Sequence, residues 1–231
     1  MYKAAVIGCG RIGAEFPENH CQAYGKMLYA VVDTDLRKVE KALGRYGASF
    51  GSNYISELEG EVDIVSICTP PETHLKVVKQ VVRFVKGIYL EKPIATTLKD
   101  ADAIIRLCKA NSVILQVNHQ RRFGIPTLYY SRGILNTMTH GFDMLRMLFG
   151  EVKRTEGDMV YFDKAWSLPN ELAIRIQEVK TDEHVFEFKV DTTDAIKKGV
   201  KHLIDCIEQG RESISSGKQA REDLRLCLEV T

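Results

Sequence analysis

The first half of the chain alternates between two hydrophobic periods. Short apolar runs at Lys3–Ile7, Leu28–Val32, Asp63–Cys68, Ile88–Leu90 and Val113–Val117 read as buried strands. Between them, apolar residues recur at helical spacing. Leu75, Val78, Val81, Val82 and Val85 share one stripe, and Leu98, Ala101, Ile104, Ile105 and Cys108 share another. Thr97 with Asp100 supplies an N-cap signal for the second helix. Near-continuous apolar strands separated by helices predict a parallel sheet covered on both faces.

After about residue 120 the rhythm changes. His140–Phe149 reads as a helix stopped by Gly150. Strand-like runs follow at Val152–Phe162, Glu171–Val179 and Val185–Val190, the last two expected to pair as a hairpin around Thr181–Glu183. Two amphipathic helices close the chain. One turns Ile196, Val200, Leu203, Ile204 and Ile207 inward, and the other Ala220, Leu224, Cys227 and Leu228. The pattern predicts an α/β protein with a doubly wound parallel sheet over residues 1–119. An α+β domain on a mostly antiparallel open sheet is expected over 120–231, its last helix able to pack back on the first domain.

Composition narrows the function classes. Thirty-two basic against 31 acidic residues, a formal net charge of +1, point to neither a nucleic-acid nor a membrane-surface partner. No apolar run approaches the roughly 20 residues of a membrane span. The opening MYKAAVIGCG runs straight into a strand without a leader pattern. Six cysteines are scattered with no C-x-x-C spacing, mostly within apolar stretches. They read as small hydrophobes in a reducing cytoplasm, and no metal ligand set is expected.

Gly8-Cys9-Gly10-Arg11-Ile12-Gly13 follows the first strand and precedes a predicted helix, the context that gives G-x-G-x-x-G its meaning. Gly8 would make the tight turn, Gly10 would let backbone approach a pyrophosphate, and Gly13 would allow close helix–strand packing. Arg11 and Ile12 would flank the phosphates at the helix start. Asp33 ends the second strand, 20 residues past Gly13. A carboxylate there accepts hydrogen bonds from ribose hydroxyls and repels a 2′-phosphate, so NAD is expected rather than NADP. Arg37 and Lys38 read as solvated helix residues.

Four further segments carry a family resemblance: Thr69-Pro70-Pro71-Glu72-Thr73-His74, Glu91-Lys92-Pro93, Asn118-His119-Gln120-Arg121-Arg122-Phe123, and His140-x-x-Asp143 with Leu145, Leu148 and Gly150. With the glycine turn they resemble the glucose–fructose oxidoreductase / inositol dehydrogenase / MocA family, whose N-terminal half is a Rossmann domain. The resemblance implies an NAD-dependent dehydrogenase or reductase acting on a sugar, nucleotide sugar or cyclitol, assembled as a homodimer or homotetramer. It implies that Thr69, Pro70, His74 and Glu91 lie beside the nicotinamide end and that Pro93 follows a cis bond. Lys92 would hold the reacting oxygen and His140 would act as acid/base. Many relatives carry aspartate four residues before that histidine. Here the position is Asn136, which can orient the imidazole but cannot stabilise its cation, so a lower His140 pKa is expected. Asn136 resembles members that act on surface sugars or nucleotide sugars. The same fold also serves as a dinucleotide-binding regulator without turnover, an alternative that the presence of Lys92 and His140 argues against. Relatives carry longer stretches near Pro17–Tyr24 and Gly124–Gly133, and additional cleft-lining loop residues are expected in the intact protein.

Overall fold

The computed structural model describes residues 1–120, Asp143, Arg146, 152–156, 159–162, 172–175 and 194–229. Six parallel strands form the main sheet: β1 (Ala4–Ile7), β2 (Leu28–Val32), β3 (Phe50–Ser52), β4 (Ile64–Ile67), β5 (Gly87–Leu90) and β6 (Ile114–Val117). Their order is β3-β2-β1-β4-β5-β6, the doubly wound Rossmann arrangement. The chain reverses its direction of winding between β1 and β4, so a crevice opens at their carboxyl ends, where ligands bind in such sheets.

Every residue of β1, β4 and β5 is buried, which explains why these strands are apolar without alternation. On one face, α3 (His74–Val81), α4 (Leu98–Ala110) and the last helix contribute Val77, Val78, Val81, Ala101, Ile104, Ala220 and Leu224 to the core. On the other face lie α1 (His20–Tyr24), α2 (Leu36–Tyr46) and the penultimate helix, with Tyr24, Val39, Ala42, Ile196, Val200 and Leu203. Each such aliphatic side chain, once fully buried, stabilises by about 1.5–3 kcal/mol. The two C-terminal helices, α5 (Ala195–Gln209) and α6 (Gly217–Glu229), thus cover opposite faces of the N-terminal sheet. They are also tied to β6: Gln116 donates to the Gly199 carbonyl at 2.8 Å, and Ser215 donates to the Val117 carbonyl at 2.7 Å.

Several elements differ from the sequence expectation. The helix after the glycine turn is broken. Residues Arg11–Glu15 make one wide turn, with the Phe16 amide reaching back to the Arg11 carbonyl. Phe16, which precedes Pro17, is extended at φ −66°, ψ 153°, the conformation that a following proline imposes. The chain restarts as a helix only at His20, where the Asn19 side chain accepts from the Gln22 amide. Strand β3 was absent from the hydrophobic pattern because it is three residues long and contains Gly51. The run Val152–Phe162 is two strands, β7 (Val152–Glu156) and β8 (Met159–Phe162), paired antiparallel, and β8 pairs on its other side with β9 (Leu172–Arg175). Leu228 is 38% exposed, and Leu226 takes the inward place instead. The expected pairing of 171–179 with 185–190 lies largely outside the described residues, as do His140 and Asn136.

Among the described residues, no helix is long and apolar enough to cross a membrane. All six cysteines are free thiols, five of them buried.

Candidate cofactor and active site

A cleft of about 1320 Å³ runs along the carboxyl ends of the strands. At one end it is lined by Asp33, Lys38 and Tyr54, in the middle by Gly8, Gly10, Arg11 and Ile12, and at the other end by Thr69, Pro70, Glu91, Lys92 and Gln120. Of the expected cofactor residues, only Gly13 and His74 do not line it.

The three glycines answer to different demands. Gly8 has φ +96°, and a Cβ there would lie 2.7 Å from the Cys68 carbonyl carbon and oxygen. A Cβ on Gly13 would lie 1.9 Å from the Gly8 carbonyl oxygen. The fold itself therefore requires both. At Gly10 φ is negative, φ −77° and ψ −156°, and a Cβ would meet no atom within 4 Å. Among the described residues, no close contact to a Cβ requires glycine at that position. A dinucleotide pyrophosphate drawn against the backbone gives the missing side chain a reason.

Asp33 is built into the turn. Its Oδ2 accepts the Cys9 amide at 2.8 Å and its Oδ1 the Asp35 amide at 2.9 Å. Each carboxylate oxygen retains a lone-pair site for a ribose hydroxyl. The cations beyond it divide: Arg37 is held by Asp35 through two contacts of 3.0 Å, while Lys38 lines the cleft. The Arg37 guanidinium hydrogen-bonded to Asp35 keeps that carboxyl below its ordinary range.

At the other end, His74 is fully buried beneath the pocket. Its Nε2 lies 2.9 Å from the Thr69 carbonyl and its Nδ1 3.2 Å from the Ile94 carbonyl. The ring joins the turn after β4 to the segment after β5. Burial pushes the imidazole pKa down, favouring the neutral ring, which can donate to one of the two carbonyls. The Lys92–Pro93 peptide bond is cis, and Lys92 lines the cleft.

Beneath Lys92 lies a network the sequence reading did not assemble. Glu91 Oε1 lies 3.0 Å from His20 Nε2 and accepts from Asn118 Nδ2 at 2.5 Å, while Oε2 accepts the Lys92 amide at 3.3 Å. His20 Nδ1 lies 2.7 Å from Ser66 Oγ, itself 2.9 Å from Tyr24 Oη, and Tyr89 Oη donates to Asn118 at 2.8 Å. His20, Ser66, Asn118 and Tyr89 are buried, and each comes from a different element. The polar residues Ser66, Gln116 and Asn118 within or beside apolar strands were the signal available in the sequence.

Burial is the largest influence on the Glu91 carboxyl and pushes its pKa up. The hydrogen bonds from His20 and Asn118 and the Lys92 charge outweigh it, and the net shift is downward. A carboxylate held below its unfolded value of 4.5 contributes stability above that pH, lost as pH falls through the depressed value. Glu91→Gln should therefore lower stability by about 2 kcal/mol near neutral pH. The gap from the parent should close below pH 4.5; melting curves from pH 3 to 8 would check this, and a constant gap would refute it.

A second buried cluster joins three segments. His119 Nδ1 lies 3.3 Å from Asp143 and 3.7 Å from Asp223, and Arg146 Nη1 lies 2.6 Å from Asp223. His119, Asp143 and Asp223 bring one potential ligand atom each within 4.8 Å of one another, a grouping not expected from the sequence. The Arg146 guanidinium already supplies positive charge there, which makes the cluster an ion-pair junction between the end of the main sheet, the Asp143 helix and α6. Burial, helped by the Asp143 charge and opposed by His119 and Arg146, pushes the Asp223 carboxyl up.

A switch-point crevice, a glycine turn open at its middle position and an acid at the end of β2 define a dinucleotide-binding fold. Residues 2–119 match the family described as "Oxidoreductase family, NAD-binding Rossmann fold". The chain belongs to this glucose–fructose oxidoreductase / inositol dehydrogenase / MocA family. It is 29% identical to inositol 2-dehydrogenase of Rhizobium meliloti over 195 residues, covering 69% of this chain and 59% of that protein. It is also 29% identical to myo-inositol 2-dehydrogenase of Thermotoga maritima, covering 81% of this chain and 65% of that one. The chain thus spans less than two thirds of the length of either. Among solved structures, UDP-N-acetylglucosamine 3-dehydrogenase of Acidithiobacillus ferrooxidans superposes with a TM-score of 0.74 at 19% identity, covering 99% of this chain and 96% of that one. That likeness shows the fold.

Proposed function

We propose that the protein is an NAD(H)-dependent oxidoreductase that interconverts a secondary alcohol and a ketone on a sugar, nucleotide sugar or cyclitol. The carrying observation is Gly10, where an added Cβ would meet no protein atom within 4 Å, in a cleft that continues to Lys92. NAD bound there supplies a hydride acceptor or donor.

Each residue then has a part. Asp33 accepts the adenosine ribose hydroxyls, and its negative charge disfavours a 2′-phosphate. Lys92 hydrogen-bonds the reacting oxygen and stabilises charge on it as the hydroxyl proton leaves. His140, outside the described residues, takes that proton, and Asn136 orients its ring by hydrogen bonding. The residues between the main sheet and α5 supply the substrate side as a second unit and assemble the protein as a homodimer or homotetramer, while α5 and α6 return to the main sheet. Free, mostly buried thiols suit a reducing compartment, and we assign the protein to the cytoplasm. Inositol and UDP-N-acetylglucosamine, named for the relatives, set the first substrates to try.

The deciding experiment is a titration with NADH and NADPH followed by nicotinamide fluorescence, repeated with Asp33→Ala, and then a polyol and nucleotide-sugar panel with NAD. Preferential NADH binding is expected. Asp33→Ala should weaken it roughly 10- to 100-fold, the worth of one or two charge-assisted hydrogen bonds, and narrow the preference over NADPH. Binding of neither cofactor would overturn the reading. Binding without transfer to any substrate would favour a regulator.

A further inference from the structure

Resting on that reading of Lys92, we infer that His20 is a positioning residue for the reaction: it clamps Glu91 from below, and Glu91 in turn holds Lys92 at the cleft. The residue reaches this place because the first helix is broken. Phe16 and Pro17 interrupt it, Asn19 caps the restart, and α1 then places His20 under the carboxyl ends of β4 and β5.

The hydrogen bonds make a chain with one consistent direction. With a proton on His20 Nε2 that nitrogen donates to Glu91 Oε1, Ser66 Oγ can donate to Nδ1, and Tyr24 Oη to Ser66 Oγ. A second chain runs from Tyr89 through Asn118 to the same oxygen. Both supports therefore converge on Oε1, while Oε2 receives the Lys92 amide. The Tyr89 ring packs edge-on against His20, with centroids 4.9 Å apart, which limits tilting of the imidazole. A carboxylate so held cannot rotate without breaking three bonds, and the residue that follows it shares its position. His20 itself does not line the cleft, so it acts on the chemistry only through Glu91.

The test observes Lys92 directly. Protein labelled with ¹³Cε-lysine gives one signal assigned to Lys92 by its loss in Lys92→Met. In the parent that signal should be distinct from those of exposed lysines and should move on adding NADH. His20→Leu, which keeps bulk but no donor, should shift it to the exposed-lysine position. His20→Gln, whose amide can donate to Glu91, should restore it. Ser66→Ala, a small change that removes the donor to Nδ1, should have an intermediate effect and serves if His20→Leu does not fold. With any substrate that the panel identifies, His20→Leu should lose about 100-fold in kcat, the usual cost of a misplaced reacting group, with Kd for NADH within about twofold. An unchanged Lys92 signal in both His20→Leu and Ser66→Ala would overturn the inference. So would equal effects of Leu and Gln at position 20, which would make His20 a packing residue. If instead Lys92→Met turns substrate over normally, the catalytic reading of Lys92 fails, and the signal still decides whether His20 holds it.

Discussion

Replacing Lys92 by methionine is expected to lower kcat by about 10³- to 10⁴-fold while leaving NADH affinity within about twofold of the parent. The side chain lies at the end of the cleft away from Asp33 and the glycine turn, so cofactor binding should be insensitive to it. Methionine keeps the length and much of the apolar stem and removes the charge and the hydrogen-bond donor. Losing the interaction with the reacting oxygen lowers kcat rather than raising KM. Steady-state kinetics beside a fluorescence titration separate the two quantities. A variant with a raised KM and an unchanged kcat would show that Lys92 only holds substrate.

The other large effect separates two glycines of the same motif. Gly10→Val should leave stability within about 0.5 kcal/mol of the parent and reduce NADH affinity at least about 100-fold. Its φ is negative and a Cβ there meets no atom within 4 Å, so the new side chain enters the space that a bound dinucleotide would need. Gly13→Ala should do the reverse in order of cause. Its Cβ would sit 1.9 Å from the Gly8 carbonyl oxygen, so the turn must move, costing about 1–3 kcal/mol or more before any ligand is added. Thermal melting with and without NADH distinguishes these outcomes. A Gly10→Val protein that binds NADH normally would remove the main reason for assigning the cleft to a dinucleotide.

Local chemistry was enough to place most of the first half of the fold. Buried parallel strands are apolar at consecutive positions, and helices on their faces are apolar at helical spacing. Both periods are visible before any tertiary structure is known. Thr97 capping the Asp100 amide is a short-range signal of the same kind. What lay beyond them depends on contacts between residues far apart. Strand β3 is too short to show a period, and only its pairing with β2 makes it a strand. Leu226 rather than Leu228 faces inward because the phase of a helix is set by the surface it meets.

The candidate site divides in the same way. The sequence by itself determined the glycine turn of Gly8, Gly10 and Gly13 and pointed to Asp33 and the Glu91-Lys92-Pro93 segment as candidates at the ends of strands. Tertiary structure alone decided which polar groups were buried together. Glu91 meets His20 across 71 positions, Asn118 meets Glu91 across 27, and Arg146 meets Asp223 across 77. A buried carboxylate is stable only when partners from other elements replace its lost water, and those partners carry no mark in their own neighbourhood of the chain.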